Sequence, residues 1–135
     1  MTLSELQTKL DRSPFIKFLR MRAESIDSEQ DRVVISMPLR PELERSGGTK
    51  QYHGGAIASL IDVAGDFALV LGVGAGVPTI NFRVDYLRPA TGEILTATAW
   101  VRRAGRTIGV VDIDVHDKAG RLVAVGRGCY STQPG

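Results

Sequence analysis

Apolar residues follow two periods along this chain, and the change of period divides it. Ile57, Leu60, Ile61, Ala64, Ala68 and Leu71 fall on one face of a helix, so the spacing predicts a long helix over 53–71. From residue 79 the period becomes two. Ile80, Phe82, Val84 and Tyr86 alternate with Asn81, Arg83 and Asp85. Leu95, Ala97, Ala99 and Val101 alternate with Thr96, Thr98, Trp100 and Arg102, and Val111, Ile113 and Val115 with Asp112, Asp114 and His116. Strands are expected over 79–88, 93–103, 107–116 and 121–131. The turns between them are short, which predicts antiparallel neighbours in a four-stranded meander. Ahead of the helix, Val33, Ile35, Met37 and Leu39 alternate with Val34, Ser36 and Pro38 and predict a fifth strand. Residues 2–22 read as helical: Leu3, Leu6 and Leu10 set the spacing, Thr2 or Ser4 is the cap, and Pro14 opens a second short helix through Leu19.

These elements predict an α+β domain in which one long helix buries its apolar face on one antiparallel sheet. An open sheet has two edges to manage, and pairing with a second copy removes one, so a dimer is expected. The other helix face carries Ser59, Asp62, Asp66 and Val70, with Gly55 at its start. It suits a partner subunit or a ligand cleft. Two acids in the apolar run argue against a membrane span. A polar loop over 40–52 precedes the helix, and Gly72 to Pro78 ends it.

Composition narrows the class. The 135 residues make one domain, 43% apolar and 24% charged, as in an ordinary soluble protein. A net charge of +2 is too mild to point to nucleic acid. Of the 17 basic residues 13 are Arg, a bias suited to phosphate or carboxylate. The single Cys129, read as a small core residue, excludes an internal disulfide and a Cys-based zinc site. The start of the chain lacks a signal-peptide pattern, which makes the cytoplasm the expected location. His116 among Asp112, Asp114 and Asp117 reads as a solvated strand face and turn, and no metal is expected.

The motif from His53 to Asp62, His-Gly-Gly-Ala-Ile-x-x-Leu-x-Asp, resembles that of the hotdog-fold acyl-CoA thioesterases, in particular the phenylacetyl-CoA thioesterase group. Pro78 to Ala90 is similar to that group's second strand signature, and Arg102 to Arg106 and Gly120 to Gly128 are also similar; the likeness spans roughly residues 30 to 132. It implies a long central helix wrapped by an antiparallel sheet of five to six strands, with an N-terminal helical segment added. It also implies a homodimer, often paired into tetramers, with sites shared between subunits. The substrate it implies is an acyl- or aryl-CoA thioester, hydrolysed to free acid and coenzyme A without a cofactor. By the same resemblance Asp62 is the catalytic carboxylate, the Gly54 N–H binds the thioester carbonyl, Thr79 stands where some relatives place water with a Ser, and His53 supports the site. One departure is Gly47, where many relatives have Asn; Gln51 and Ser46 are the nearby side chains able to replace it.

The chemistry accounts for these residue types. Thioester hydrolysis puts negative charge on the carbonyl oxygen, and free N–H groups at a helix start stabilise it. Gly54 and Gly55 let the backbone approach substrate without a Cβ. Asp62 lies about 12 Å further along the helix axis, too far to face its own Gly54, so a site shared by two chains follows. Asp62 is read as general base or nucleophile. Phe67, Phe82, Val70 and Leu71 are expected pocket walls. Arg88, Arg103 and Arg106, close together in the expected meander, are expected to meet the phosphates of coenzyme A. Each of these residues also has a structural reading: an interface acid for Asp62 and Asp66, a loop hydrogen bond for His53, a strand start for Thr79, a solvated rim for the arginines. The rival functions are an acyl-CoA or fatty-acid binding module on the same fold, a hotdog hydratase or dehydratase, and a purely structural dimer domain.

Overall fold

The computed structural model describes residues 1–133. Helix α1 (Leu3–Arg12) opens with a capping box, in which the Thr2 side chain accepts from the Glu5 N–H and the Glu5 carboxylate from the Thr2 N–H. Ser13 ends α1 and caps α2 (Pro14–Phe18), with its hydroxyl accepting from the Ile16 N–H. The chain then departs from the helix expected through residue 22. Arg20 takes φ 55, and Arg22–Asp27 form a strand, β1. Gln7 of α1 holds that strand: its side-chain carbonyl accepts from the Ala23 N–H at 2.8 Å and its amide donates to the Met21 carbonyl at 3.2 Å. Half of β1 is exposed and its alternation is broken by a bulge between Ala23 and Ser25, so its pattern carries no clear period of two.

The remaining elements are β2 (Arg32–Pro38), a short 3₁₀ turn at Pro41–Leu43, α3 (Gly54–Val73), β3 (Thr79–Tyr86), β4 (Ile94–Ala104), β5 (Ile108–Asp117) and β6 (Leu122–Ser131). One six-stranded antiparallel sheet has the order β1-β2-β4-β5-β6-β3. Only β4, β5 and β6 form the expected meander. The first member, β3, pairs with β6 at the far edge, with Arg83 opposite Arg127. The link after β3 is no hairpin: the Leu87 and Arg88 N–H groups bind the Val123 carbonyl, and the Ala90 carbonyl takes the Tyr52 N–H. Alternation identifies a strand, while its partner is set by where such a link is tied.

The sheet wraps α3. Ile57, Leu60, Ile61, Ala64 and Ala68 are buried against β2, β4, β5 and β6. Leu71, expected on this face, is half-buried, whereas Val70, expected as a pocket wall, is buried in the core. The helix is long and apolar enough to span a membrane, with mean hydropathy 1.9, but half of that window is buried inside the domain. Gly65 brings α3 close to the sheet. A Cβ there would sit 2.9 Å from Cζ of the fully buried Tyr130, whose hydroxyl donates to the Asp62 carbonyl at 3.2 Å.

Candidate active site

Two ends of α3 carry the predicted chemistry. At its start, His53 is the N-cap: its Nδ1 accepts from the Gly55 N–H at 2.8 Å. The His53 N–H donates to the Leu43 carbonyl at 2.7 Å, and the buried Tyr52 hydroxyl to the Met37 carbonyl at 2.9 Å, so the approach to the helix is held by the sheet and the 3₁₀ turn. Capping spends the Gly55 N–H. The Gly54 N–H has no acceptor among the described residues. Tyr86 closes over this end, donating to the Gly54 carbonyl at 2.7 Å; a Cβ on Gly54 would touch its ring at 3.3 Å.

Two turns on, Asp62 is half-exposed, and Thr79 at the start of β3 donates to its Oδ1 at 2.8 Å. This bond fixes one carboxylate oxygen and leaves the other open to a reactant. Asp66 follows one turn later on the same side. Burial, and then the neighbouring Asp62, push its pKa up to about 7. Asp62, Ser59 and Asp66 line a groove of about 330 Å³ closed on its far side by Phe15 and Ile16 of α2. A smaller cavity of about 220 Å³ shares Phe15 and Ser59 and leads along α3 to His53 and Gly55. The Arg40 guanidinium, 4.7 Å over the Phe18 ring and bonded to the Phe18 carbonyl, holds α2 as that wall.

The other candidates are scattered. Gln51 is in the loop ahead of His53, its side-chain carbonyl accepting from Arg45 at 3.0 Å. A Cβ at Gly47 would meet nothing within 4 Å. Phe67 lines the groove by Asp66, whereas Phe82 lies on the exposed edge strand β3. The arginines are not the expected neighbours. Arg103 and Arg106 lie at the Thr79 end of the sheet, where Ala104 faces Gly109, Ile108 faces Ser131 and Tyr130 faces Thr79. Arg88 follows Tyr86 at the opposite end, where Tyr86 faces Ala124. The ten residues of β5 separate the two ends by roughly 30 Å. On the outer sheet face Asp112 is bound by Arg127 at 2.7 Å and Arg102 at 3.3 Å. The bond from Arg127 holds its carboxyl below the usual range. Asp117 pairs with Arg121 at 2.7 Å. Among the described residues no three His, Cys, Asp or Glu stand where they could share a metal.

Sequence reasoning missed Tyr86, Tyr130 and the α2 wall. Tyr86 sits inside the strand signature, where it was read only as one position of the alternation. The available hint for Tyr130 was space: Gly65 on the core face of the helix and Gly128 in β6 leave room for one large ring.

The family profile described as the thioesterase superfamily matches residues 51–124, which takes in the α3 motif and most of the sheet. The acyl-coenzyme A thioesterase PaaI of Escherichia coli (strain K12) is 33% identical over 104 residues, covering 76% of this chain and 72% of its own. Its solved structure superposes with a TM-score of 0.82 at 28% identity, covering 96% and 95%. The medium/long-chain acyl-CoA thioesterase YigI of the same organism is 30% identical, covering 87% and 84%. An X-ray structure of another protein from the thioesterase superfamily superposes with a TM-score of 0.89 at 36% identity over 96% of each chain. The split helix motif, the wrapped helix and these likenesses agree: the chain belongs to the thioesterase superfamily and has its hotdog fold.

Proposed function

We propose that this protein hydrolyses an acyl- or aryl-CoA thioester to the free acid and coenzyme A, at two sites built across a homodimer. The observation that carries the reading is the Thr79–Asp62 hydrogen bond, which holds a carboxylate in a groove with one oxygen free. Asp62 acts as general base: it takes a proton from water as the water oxygen attacks the thioester carbon. Charge grows on the carbonyl oxygen and meets the Gly54 N–H of the second protomer at a positive helix start. The tetrahedral intermediate collapses by breaking the C–S bond. The coenzyme A thiolate leaves, and the proton held by Asp62 returns to it or to solvent.

An exposed edge supports the dimer. On β3, Ile80 (52%), Phe82 (37%) and Tyr86 (52%) are exposed on a strand with no partner on its outer side. Antiparallel pairing of two β3 edges covers them. The same two-fold sets the Thr79 and Asp62 end of one protomer against the Gly54 and Tyr86 end of the other. It also carries Arg88 of one chain toward Arg103 and Arg106 of the other, so that the three arginines can share one nucleotide.

Free-thiol release over a panel of aryl and straight-chain acyl-CoAs, with wild type and Asp62→Asn, tests the reaction. We expect turnover by the wild type and a loss of about 10² or more in kcat for Asp62→Asn, the size of a lost general base. Equal rates rule out Asp62 as the base. No turnover of any thioester by the wild type leaves the acyl-CoA-binding module as the reading.

A further inference from the structure

Asp66 has no place in the reaction above, yet it faces the same groove. The helix puts it one turn beyond Asp62, about 6 Å along the axis. Its neighbours in the groove are the cap residue Ser13, Phe15 and Ile16 of α2, and Ser59, Val63 and Phe67 of α3, with Asp62 the one charged group among them. Tyr130 of β6, with its hydroxyl on the Asp62 carbonyl, is the other titratable group nearby. No hydrogen bond or ion pair engages the Asp66 carboxyl among the described residues, and no cation lines the groove. The Ser59 hydroxyl is spent on the Gly55 carbonyl at 2.9 Å, and Ser13 caps α2.

A carboxyl half-withdrawn from water and without a partner costs stability. No hydrogen bond or cation among the described residues offsets that cost. A ligand in the groove can, because the carboxyl is a hydrogen-bond donor when protonated, and burial beside Asp62 makes protonation available near neutral pH.

We propose that Asp66 is the specificity-determining side chain for the acyl group, donating a hydrogen bond to a keto oxygen carried about 6 Å from the thioester carbonyl. This rests on the acyl-CoA reading. The reacting carbon lies against Asp62, and the acyl chain runs along α3 under Phe15, past Val63, to Asp66. A purely aliphatic acyl group leaves the carboxyl unpartnered and is the poorer substrate.

A matched pair of substrates tests it: 5-oxohexanoyl-CoA and 5-methylhexanoyl-CoA, of equal heavy-atom count and similar shape, one with a keto oxygen at that reach and one without. The ratio of their kcat/KM values is read between pH 6 and pH 8.5, where ionisations shared by both substrates cancel. In the wild type the keto substrate is expected to be favoured about tenfold at pH 6, the worth of one hydrogen bond. The ratio falls toward one by pH 8.5 as Asp66 loses the proton it donates. Asp66→Asn, which keeps a donor, holds the preference across the whole range; Asp66→Leu brings it to one or below. No preference in the wild type at pH 6, or a preference that survives Asp66→Leu, overturns the proposal. If neither thioester is hydrolysed, it is the hydrolase reading that fails. The ratio of the two dissociation constants, measured by calorimetry on the same proteins, then judges Asp66 by the same criteria.

Discussion

Thr79 Oγ1 donates to Asp62 Oδ1 at 2.8 Å, tying the first residue of an edge strand to the middle of the central helix. Neither residue is held this way by its own element. The bond orients the carboxylate, and the β3 edge that supplies it is the edge on which a second copy docks in the proposed dimer. Removing the hydroxyl should therefore lower turnover without unfolding the domain. Thr79→Val is expected to reduce kcat by about 10- to 100-fold, the range for a hydrogen bond to a charged group. Thr79→Ser should restore most of it. A Thr79→Val enzyme with wild-type kcat would show that the bond does not serve the reaction.

The proposed sites, split between two chains, predict complementation. Gly54→Pro removes the N–H at a helix position that tolerates proline, and Asp62→Asn removes the base. Each homodimer should be nearly inactive. In a mixed dimer one site carries both lesions and the other carries none. After denaturation and refolding of an equal mixture, thiol release should return to about a quarter of the wild-type rate, since about half the dimers are mixed and each has one intact site. Mixtures no more active than their parents would place each site within a single chain.

Gly65 is a test of packing. Its missing Cβ is the space occupied by the Tyr130 ring. Gly65→Ala should destabilise the fold by about 1–3 kcal/mol, as other overpacked cores do, read as a lowered midpoint in urea. Tyr130→Phe removes the atom of the ring nearest that position, so the double variant should lose less than the two single losses added together. Strict additivity would mean that the clash is relieved elsewhere.

Asp66 predicts how stability depends on pH. Its pKa is raised from 3.8 to about 7 by burial and by Asp62. Between these values the folded state holds a proton that the unfolded chain releases. The contribution is therefore present in full below the unfolded value, declines as pH rises, and is gone above about 7. Thermal melting followed by circular dichroism should give a falling Tm between pH 5 and pH 8. Asp66→Asn should flatten that slope and melt higher than wild type at pH 8. A variant with an unchanged slope would assign the pH dependence to another group.

Much of this molecule was legible in its sequence because its two periods are clean. The 53–71 spacing located α3, and alternation located β2 to β6; β4 and β5 bury every second residue over most of their length, whereas β3 keeps the alternation of residue types although most of it is exposed. β1 escaped because it is short, bulged and half-exposed, and is held by Gln7 from sixteen residues away. The place of β3 beside β6 escaped because it depends on a link tied at Val123 and Tyr52, which no local pattern encodes. The motif residues His53, Gly54, Asp62 and Thr79 were all singled out, and the Thr79–Asp62 bond joins two of them. The reach between arginines was misjudged for the same reason as the meander: Arg88 and Arg103 are close in the chain but lie at opposite ends of the sheet.

Ser13 is both the last cap of α1 and the first cap of α2. The wall over the groove is thus joined to α1 through one residue and pinned at its other end by Arg40, outside the sheet. Lengthening or shortening the chain at that joint would resize the space above Val63 and Asp66 while leaving the Thr79–Asp62 bond and the Gly54 N–H in place. In the proposed reaction, acyl-chain length can in this way evolve apart from the chemistry, through a short helix with no buried residue of its own.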